Sequence, residues 1–105
     1  MRKLLIVDDE RNIRNGLKTM IERAFPERYR IDTAGDGKAA LERFAADPAD
    51  IVITDIRMPE MDGIALIREL SGRPNVPALV ILSGYDDFAY AKAAIRHKVK
   101  EYLLK

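Results

Sequence analysis

Asp8 and Asp9 directly follow the apolar run Leu4-Leu5-Ile6-Val7, and Asp55 directly follows Ile51-Val52-Ile53-Thr54. A third run, Ala78 to Leu82, ends in Ser83-Gly84, and a fourth, Tyr102-Leu103-Leu104, ends in Lys105. If these runs are parallel strands, their polar endings meet at one edge of one sheet, the edge where open α/β sheets bind ligands. Two carboxylates about 4 Å apart repel by roughly 4 kcal/mol at an effective dielectric of 20. Three acids at that edge therefore demand a proton or a cation. Oxygen donors with no Cys and no nearby His suit a hard cation, and few carboxylates shared with phosphate oxygens suit Mg²⁺.

In that setting Asp55 can attack phosphorus and become an aspartyl phosphate. Phosphoryl transfer mostly needs positioning and neutralisation of the equatorial oxygens. A divalent ion, the Lys105 ammonium and the Ser83 hydroxyl can each take one oxygen, with N–H groups around Ser83-Gly84 assisting. No general base is required, which fits a cluster without histidine. The bland alternative makes Asp8 or Asp9 a helix cap and Asp55 a turn cap. It leaves two adjacent acids opposite a third without a reason.

The elements that must position these groups follow from hydrophobic periodicity. Leu4–Val7 is short and wholly apolar, as a strand covered on both faces is. Ile13, Leu17, Met20, Ile21 and Ala24 fall at helical spacing from about Glu10 until Pro26. Residues 30–34 suit an edge strand. Gly35-Asp36-Gly37 turns into a second helix with Ala40, Leu41, Phe44 and Ala45 inward, ended by Asp47-Pro48. Residues 51–53 form a strand, and Asp62-Gly63 starts a third helix with Ile64, Leu66, Ile67 and Leu70 inward, fading at Ser71-Gly72. Pro77 opens the 78–82 strand, Asp86-Asp87 caps a fourth helix, and residues 100–104 form the last strand. Met20, Met58 and Met61 are read as core or loop filler, and Gly63 as a residue whose backbone angle is closed to other side chains. Strand–helix alternation with short loops forces parallel, right-handed crossovers between two helix layers.

The length of 105 residues bounds this to one domain, 1–105. A net charge of +1 gives no global attraction to nucleic acid or anionic membrane, and the absence of cysteine excludes disulfides, thiolate zinc sites and thiol catalysis. No secretory or membrane-spanning run is apparent in the sequence, so a cytoplasmic location is expected. A doubly wound five-stranded sheet normally closes with a helix after its last strand. Losing about three Leu- or Ile-sized side chains there would forfeit roughly 5–9 kcal/mol, so the domain is expected to be truncated at its C-terminus.

The motifs Val7-Asp8-Asp9-Glu10, Asp55-Ile56-Arg57-Met58-Pro59-Glu60-Met61-Asp62-Gly63, Ser83-Gly84 and Tyr102-Leu103-Leu104-Lys105, taken in order, resemble the receiver domain of two-component response regulators. The resemblance implies a flavodoxin-like sheet of order 2-1-3-4-5 and a phosphorylation-controlled signalling domain, not a conventional enzyme. By it, Asp55 accepts a phosphoryl group from a sensor histidine kinase. Mg²⁺ is held by Asp9, Asp55 and the Arg57 backbone carbonyl, with Asp8 acting mainly through water. Ser83 and Lys105 hold the phosphoryl oxygens, Ser83 and Tyr102 form the switch, and the kinase docks near Asn12, Ile13 and Gly16. Arg57 and Tyr85 flank the path of attacking water and are expected to lengthen the phosphoaspartate lifetime.

Tyr85-Asp86-Asp87-Phe88 with Tyr90-Ala91-Lys92 resembles receivers that precede AraC-type DNA-binding domains, which implies a transcriptional output outside this chain. The basic residues Arg96, His97, Lys98 and Lys100 are read as helix-end charges, not as a nucleic-acid site. A homodimer is among the expected assemblies. Phosphatases of the haloacid dehalogenase type need a second acid two residues after the nucleophile, where this chain has Arg57. A flavodoxin-like flavin carrier needs a phosphate-cradling loop, where Asp8-Asp9-Glu10 would repel one. The remaining rival is an interaction domain that keeps the fold and works without phosphorylation.

Overall fold

The Leu4–Val7 run can be buried on both faces only where helices cover both sides of its sheet. The computed structural model, which describes residues 1–84, 89 and 101–104 (83 and 101–104 as backbone only), has that arrangement. Five parallel strands, β1 (Arg2–Val7), β2 (Tyr29–Ala34), β3 (Ile51–Thr54), β4 (Ala78–Ser83) and β5 (Glu101–Leu104), lie in the order β2-β1-β3-β4-β5. Helices α1 (Arg11–Ala24), α2 (Gly37–Ala46) and α3 (Gly63–Ser71) connect the first four in turn. The doubly wound, flavodoxin-like architecture matches the expectation. The helix expected from Asp86-Asp87 falls outside the described residues.

The chain steps outward from β1 to β2, then back across β1 to β3 and on to β4. Right-handed crossovers then put α1 on one face of the sheet and α2 and α3 on the other. The second face holds the main core: Leu5, Val7, Val52, Leu79 and Ile81 from the strands, Ala40 and Phe44 from α2, and Ile64, Leu66, Ile67 and Leu70 from α3. Met58 and Met61 pack against it. Alternation sends Leu4 and Ile6 to the first face, where they are buried as well. That face is less well covered. No residue of α1 is fully buried, and Ile51, Ile53, Val80 and Leu82 are only half-buried.

Three expected core positions are corrected. Met20 is 58% exposed, and Ala24 is exposed beside it. The sheet-facing side of α1 runs through Ile13, Leu17 and Ile21 and continues into the half-buried stems of Arg14 and Lys18. At about 100° per residue Ala24 falls between Ile13 and Leu17 but is the last residue of the helix, while Met20 lies at the outer margin of the stripe. Ala45 is also exposed, since the inner line of α2 passes through Gly37, Ala40 and Phe44. Phe44 is the largest side chain in that core. Phe44→Ala is expected to cost about 3–5 kcal/mol through lost burial and a residual cavity, read as a lower urea midpoint with an unchanged slope.

Local chemistry sets the helix starts. Asp36 Oδ1 accepts from the Ala39 N–H at 2.8 Å, and Asp62 Oδ1 accepts from the Ala65 N–H at 2.9 Å, each capping its helix. At the opposite edge of the sheet from the acids, the buried Lys3 Nζ donates to the Asp47 carbonyl at 2.8 Å and pairs with its carboxylate at 3.0 Å. Arg30 meets the same carboxylate at 2.8 Å. The Arg30 hydrogen bond, then that of Lys3, holds the Asp47 carboxyl below its ordinary 3.8. A carboxyl lowered by folding contributes stability in full above 3.8, and that contribution is lost as pH falls through the folded value. Asp47→Asn is therefore expected to flatten the acid limb of thermal stability below about pH 4. Melts across that range, with the difference shrinking in high salt, check it.

Candidate acidic phosphoryl-acceptor site

The strand register assembles the acids. Val7 pairs with Thr54 across β1 and β3, and the Asp55 N–H donates to the Val7 carbonyl at 2.9 Å. On the other side of β1, the Asp8 N–H donates to the Ala34 carbonyl at 3.1 Å. Asp8 and Asp55 thus leave their strands level with each other. Carboxylate oxygens of Asp8, Asp9 and Asp55 all lie within 4.8 Å of one another. Asp8 and Asp55 are buried, at 1% and 7% exposure, while Asp9 faces solvent.

Each buried carboxylate is oriented by an amide of its own turn. Asp8 Oδ1 accepts from the Glu10 N–H at 2.9 Å, and Asp55 Oδ1 accepts from the Ile56 N–H at 2.8 Å. The Thr54 hydroxyl, fully buried, donates to the Asp55 carbonyl at 2.8 Å. The donor set is all oxygen, convergent and partly buried, so it fits a hard divalent cation. The carboxylates alone would repel at this spacing, which gives such a cation its driving force. Beyond the cluster, Asp9, Arg57, Met58, Pro59 and Asp62 line an open cleft, with the Arg57 side chain exposed.

Of the expected site residues, the structure brings Asp8, Asp9 and Asp55 together and places Arg57 at the adjoining cleft. Ser83 ends β4 at the same edge of the sheet, its backbone paired with Leu104 of β5. The Tyr102 backbone pairs with Ile81. Lys105 and Tyr85 lie outside the described residues.

Gly63 is needed for a different reason from the one expected. Among the described residues no glycine has a positive φ. A Cβ on Gly63 would instead overlap the Asp55 carbonyl oxygen, far inside any real Cβ contact. The close approach is fixed by the Gly63 N–H donating to the Ile56 carbonyl at 2.8 Å. The left-handed residue of this loop is Glu60, with φ 66°. Gly37 plays a related part: its N–H donates to the Met61 carbonyl at 3.0 Å, and a Cβ there would strike Met61. Sequence reasoning also missed Arg14, whose Nη1 donates to the Asp8 carbonyl at 2.7 Å. A lone arginine on a helix carries no signal of that kind.

Comparison with known proteins agrees with this geometry. The family model described as the response regulator receiver domain matches residues 4–105. The transcriptional regulatory protein HptR of Staphylococcus aureus is 46% identical over 106 residues, covering 100% of this chain and 41% of HptR. The chain likewise spans 41% of the length of the response regulatory proteins of Staphylococcus epidermidis that it matches. Among solved structures, TrrA of Thermotoga maritima, determined in complex with Mg²⁺-BeF, superposes with a TM-score of 0.83 at 34% identity, over 100% of this chain and 87% of that one. A two component transcriptional regulator AraC of Clostridium phytofermentans gives a TM-score of 0.87 at 37% identity, over 100% and 81%.

Proposed function

This chain belongs to the response regulator receiver domain family, and from that premise we propose that Asp55 is its phosphoacceptor in a Mg²⁺-dependent signalling switch. The observation that carries the proposal is the convergence of Asp8, Asp9 and Asp55 at the carboxyl ends of β1 and β3. An Asp55 carboxylate oxygen forms a bond to phosphorus as the P–N bond of a kinase phosphohistidine breaks. The departing imidazole nitrogen keeps the electron pair. Mg²⁺, when bound, supplies positive charge for the carboxylates and the phosphoryl oxygens. Asp9, Asp55 and the Arg57 carbonyl would hold it, with Asp8 acting through water. Ser83 and Lys105 take the remaining phosphoryl oxygens, and Ser83 with Tyr102 carries the change onward.

The donor is a sensor histidine kinase that docks on the α1 end nearest the acids, around Asn12, Ile13 and Gly16; Asn12 and Gly16 are exposed. The output is transcriptional, through a DNA-binding domain of the AraC type in a longer regulator of which this chain is the receiver. The likeness to HptR and to the Clostridium AraC regulator supports that. The bulk of Arg57 and Tyr85 shields the phosphoaspartate from water. A cytoplasmic location fits this role, and no described helix is long and apolar enough to cross a membrane.

Incubation with Mg²⁺ and acetyl phosphate, followed by intact mass measurement, tests the proposal. The expected result is a gain of one phosphoryl group that disappears when the metal is chelated and is cleaved by hydroxylamine, as an acyl phosphate is. Mg²⁺ binding without any mass gain would favour the interaction domain that works without phosphorylation.

A further inference from the structure

Asp8 and Asp9 reach the sheet edge on a turn that the packing of α1 does little to anchor. That helix buries no residue fully, and its first turn has no side-chain cap. The Asp8 peptide groups are nevertheless held on both sides. The N–H donates to Ala34 of β2 at 3.1 Å, and the carbonyl accepts from Arg14 Nη1 at 2.7 Å. The half-buried Arg14 side chain also lies against the end of β2, where a Cβ on Gly35 would come within 3.5 Å of Nη1. A short hydrogen bond from a charged donor belongs to the strong class. We propose that Arg14 is a positioning residue for the divalent-cation site. By holding the Asp8 carbonyl it sets the plane of the Asp8–Asp9 peptide, and with it the direction in which both carboxylates face Asp55. The inference rests on the cation-binding role proposed above for the cluster.

Arg14 acts on a cation in two opposed ways. Its positive charge repels the ion, so loss of charge alone tightens binding. Its hydrogen bond fixes the ligand turn, and removing partners one step behind metal ligands typically weakens affinity about 10- to 100-fold. Solvent and salt screen the charge effect at this edge, whereas they do not restore a lost orientation. The sign of the change therefore separates the two.

Calorimetric titration of Mg²⁺ into the full chain, its Arg14→Met variant and its Arg14→Lys variant tests this, with circular dichroism confirming the fold of each. Arg14→Met is expected to raise the dissociation constant about tenfold, and a rise under about fivefold, or a fall, overturns the proposal. Arg14→Lys keeps a charged donor and is expected to stay within about threefold of the parent. Equal losses in both variants point to packing alone and overturn it too. An arginine that merely stabilised the fold would lower the unfolding midpoint and leave the affinity of the folded protein unchanged. Should Arg14→Met not fold, Arg14→Gln replaces it under the same threshold. A parent chain that binds no Mg²⁺ sinks the cation role of the acidic cluster, and this proposal with it. A parent that binds, with Arg14→Met unchanged, sinks the Arg14 proposal alone.

Discussion

Asp55→Asn is expected to abolish phosphoryl uptake, slowing it by at least about ten-thousandfold, the scale on which removal of a nucleophile acts. The substitution is nearly isosteric, and the amide oxygen can still accept from the Ile56 N–H, so the loop should keep its shape. What is lost is the nucleophilic oxygen and one negative charge. That charge lies with two others inside 4.8 Å, so its loss takes one ligand charge from the cation site. Mg²⁺ should stabilise the variant less than it stabilises the parent. Uptake from acetyl phosphate, by intact mass, and melts with and without Mg²⁺ measure the pair. Uptake that survives in Asp55→Asn would move the acceptor elsewhere in the chain.

Gly63→Ala should be the most damaging one-carbon addition to the described part of the molecule. The added methyl would meet the Asp55 carbonyl oxygen and the Ile56 backbone, neither of which can swing aside as a side chain does. Relief requires moving either α3 or the segment that carries Asp55. Overpacking of this kind costs about 1–3 kcal/mol and occasionally more, and the backbone identity of the obstacle places Gly63→Ala at the upper end. The Asp55 carbonyl also takes the Thr54 hydroxyl, so the displacement reaches the buried end of β3. The expected result is a urea midpoint lowered without a change of slope, together with slower phosphorylation of the protein that remains folded. Gly72→Ala, where a Cβ comes no nearer than 3.7 Å to the Glu69 carbonyl oxygen, serves as the harmless control.

Much of this architecture was legible because its signals are local. Leu4–Val7 and Ile51–Ile53 are continuous apolar runs, and burial on both faces leaves no other pattern for a central strand. Acids placed directly after two such runs could be projected onto one edge before any register was known. The helices that begin at Asp36 and Asp62 announce themselves by their caps. What escaped notice depends on contacts distant in sequence or on rotation about a helix axis. Lys3 meets Asp47 across 44 residues, and nothing near either one signals the other. Met20 and Ala45 fit their apolar periods yet face water, because period defines a stripe and only packing decides how wide it is. Gly63 was rightly singled out, though for its backbone angle; the cause is crowding by Asp55, and the unusual angle belongs to Glu60.

The position of β2 has a consequence for how copies of this chain behave together. Among the described residues the strand is paired only with β1, so its outer ladder of N–H and carbonyl groups is a template on which a further strand could add. Along that margin Arg30 is tied to Asp47, and Asp32 to Arg43 and Lys3. A neighbour zipping onto the margin would have to strip water from these charges and disturb pairs already satisfied within the fold. The ion pairs at the foot of the sheet thus act as gatekeepers against fibrillar stacking, and neutralising Arg30 and Asp32 together should show first as lost solubility in concentrated samples.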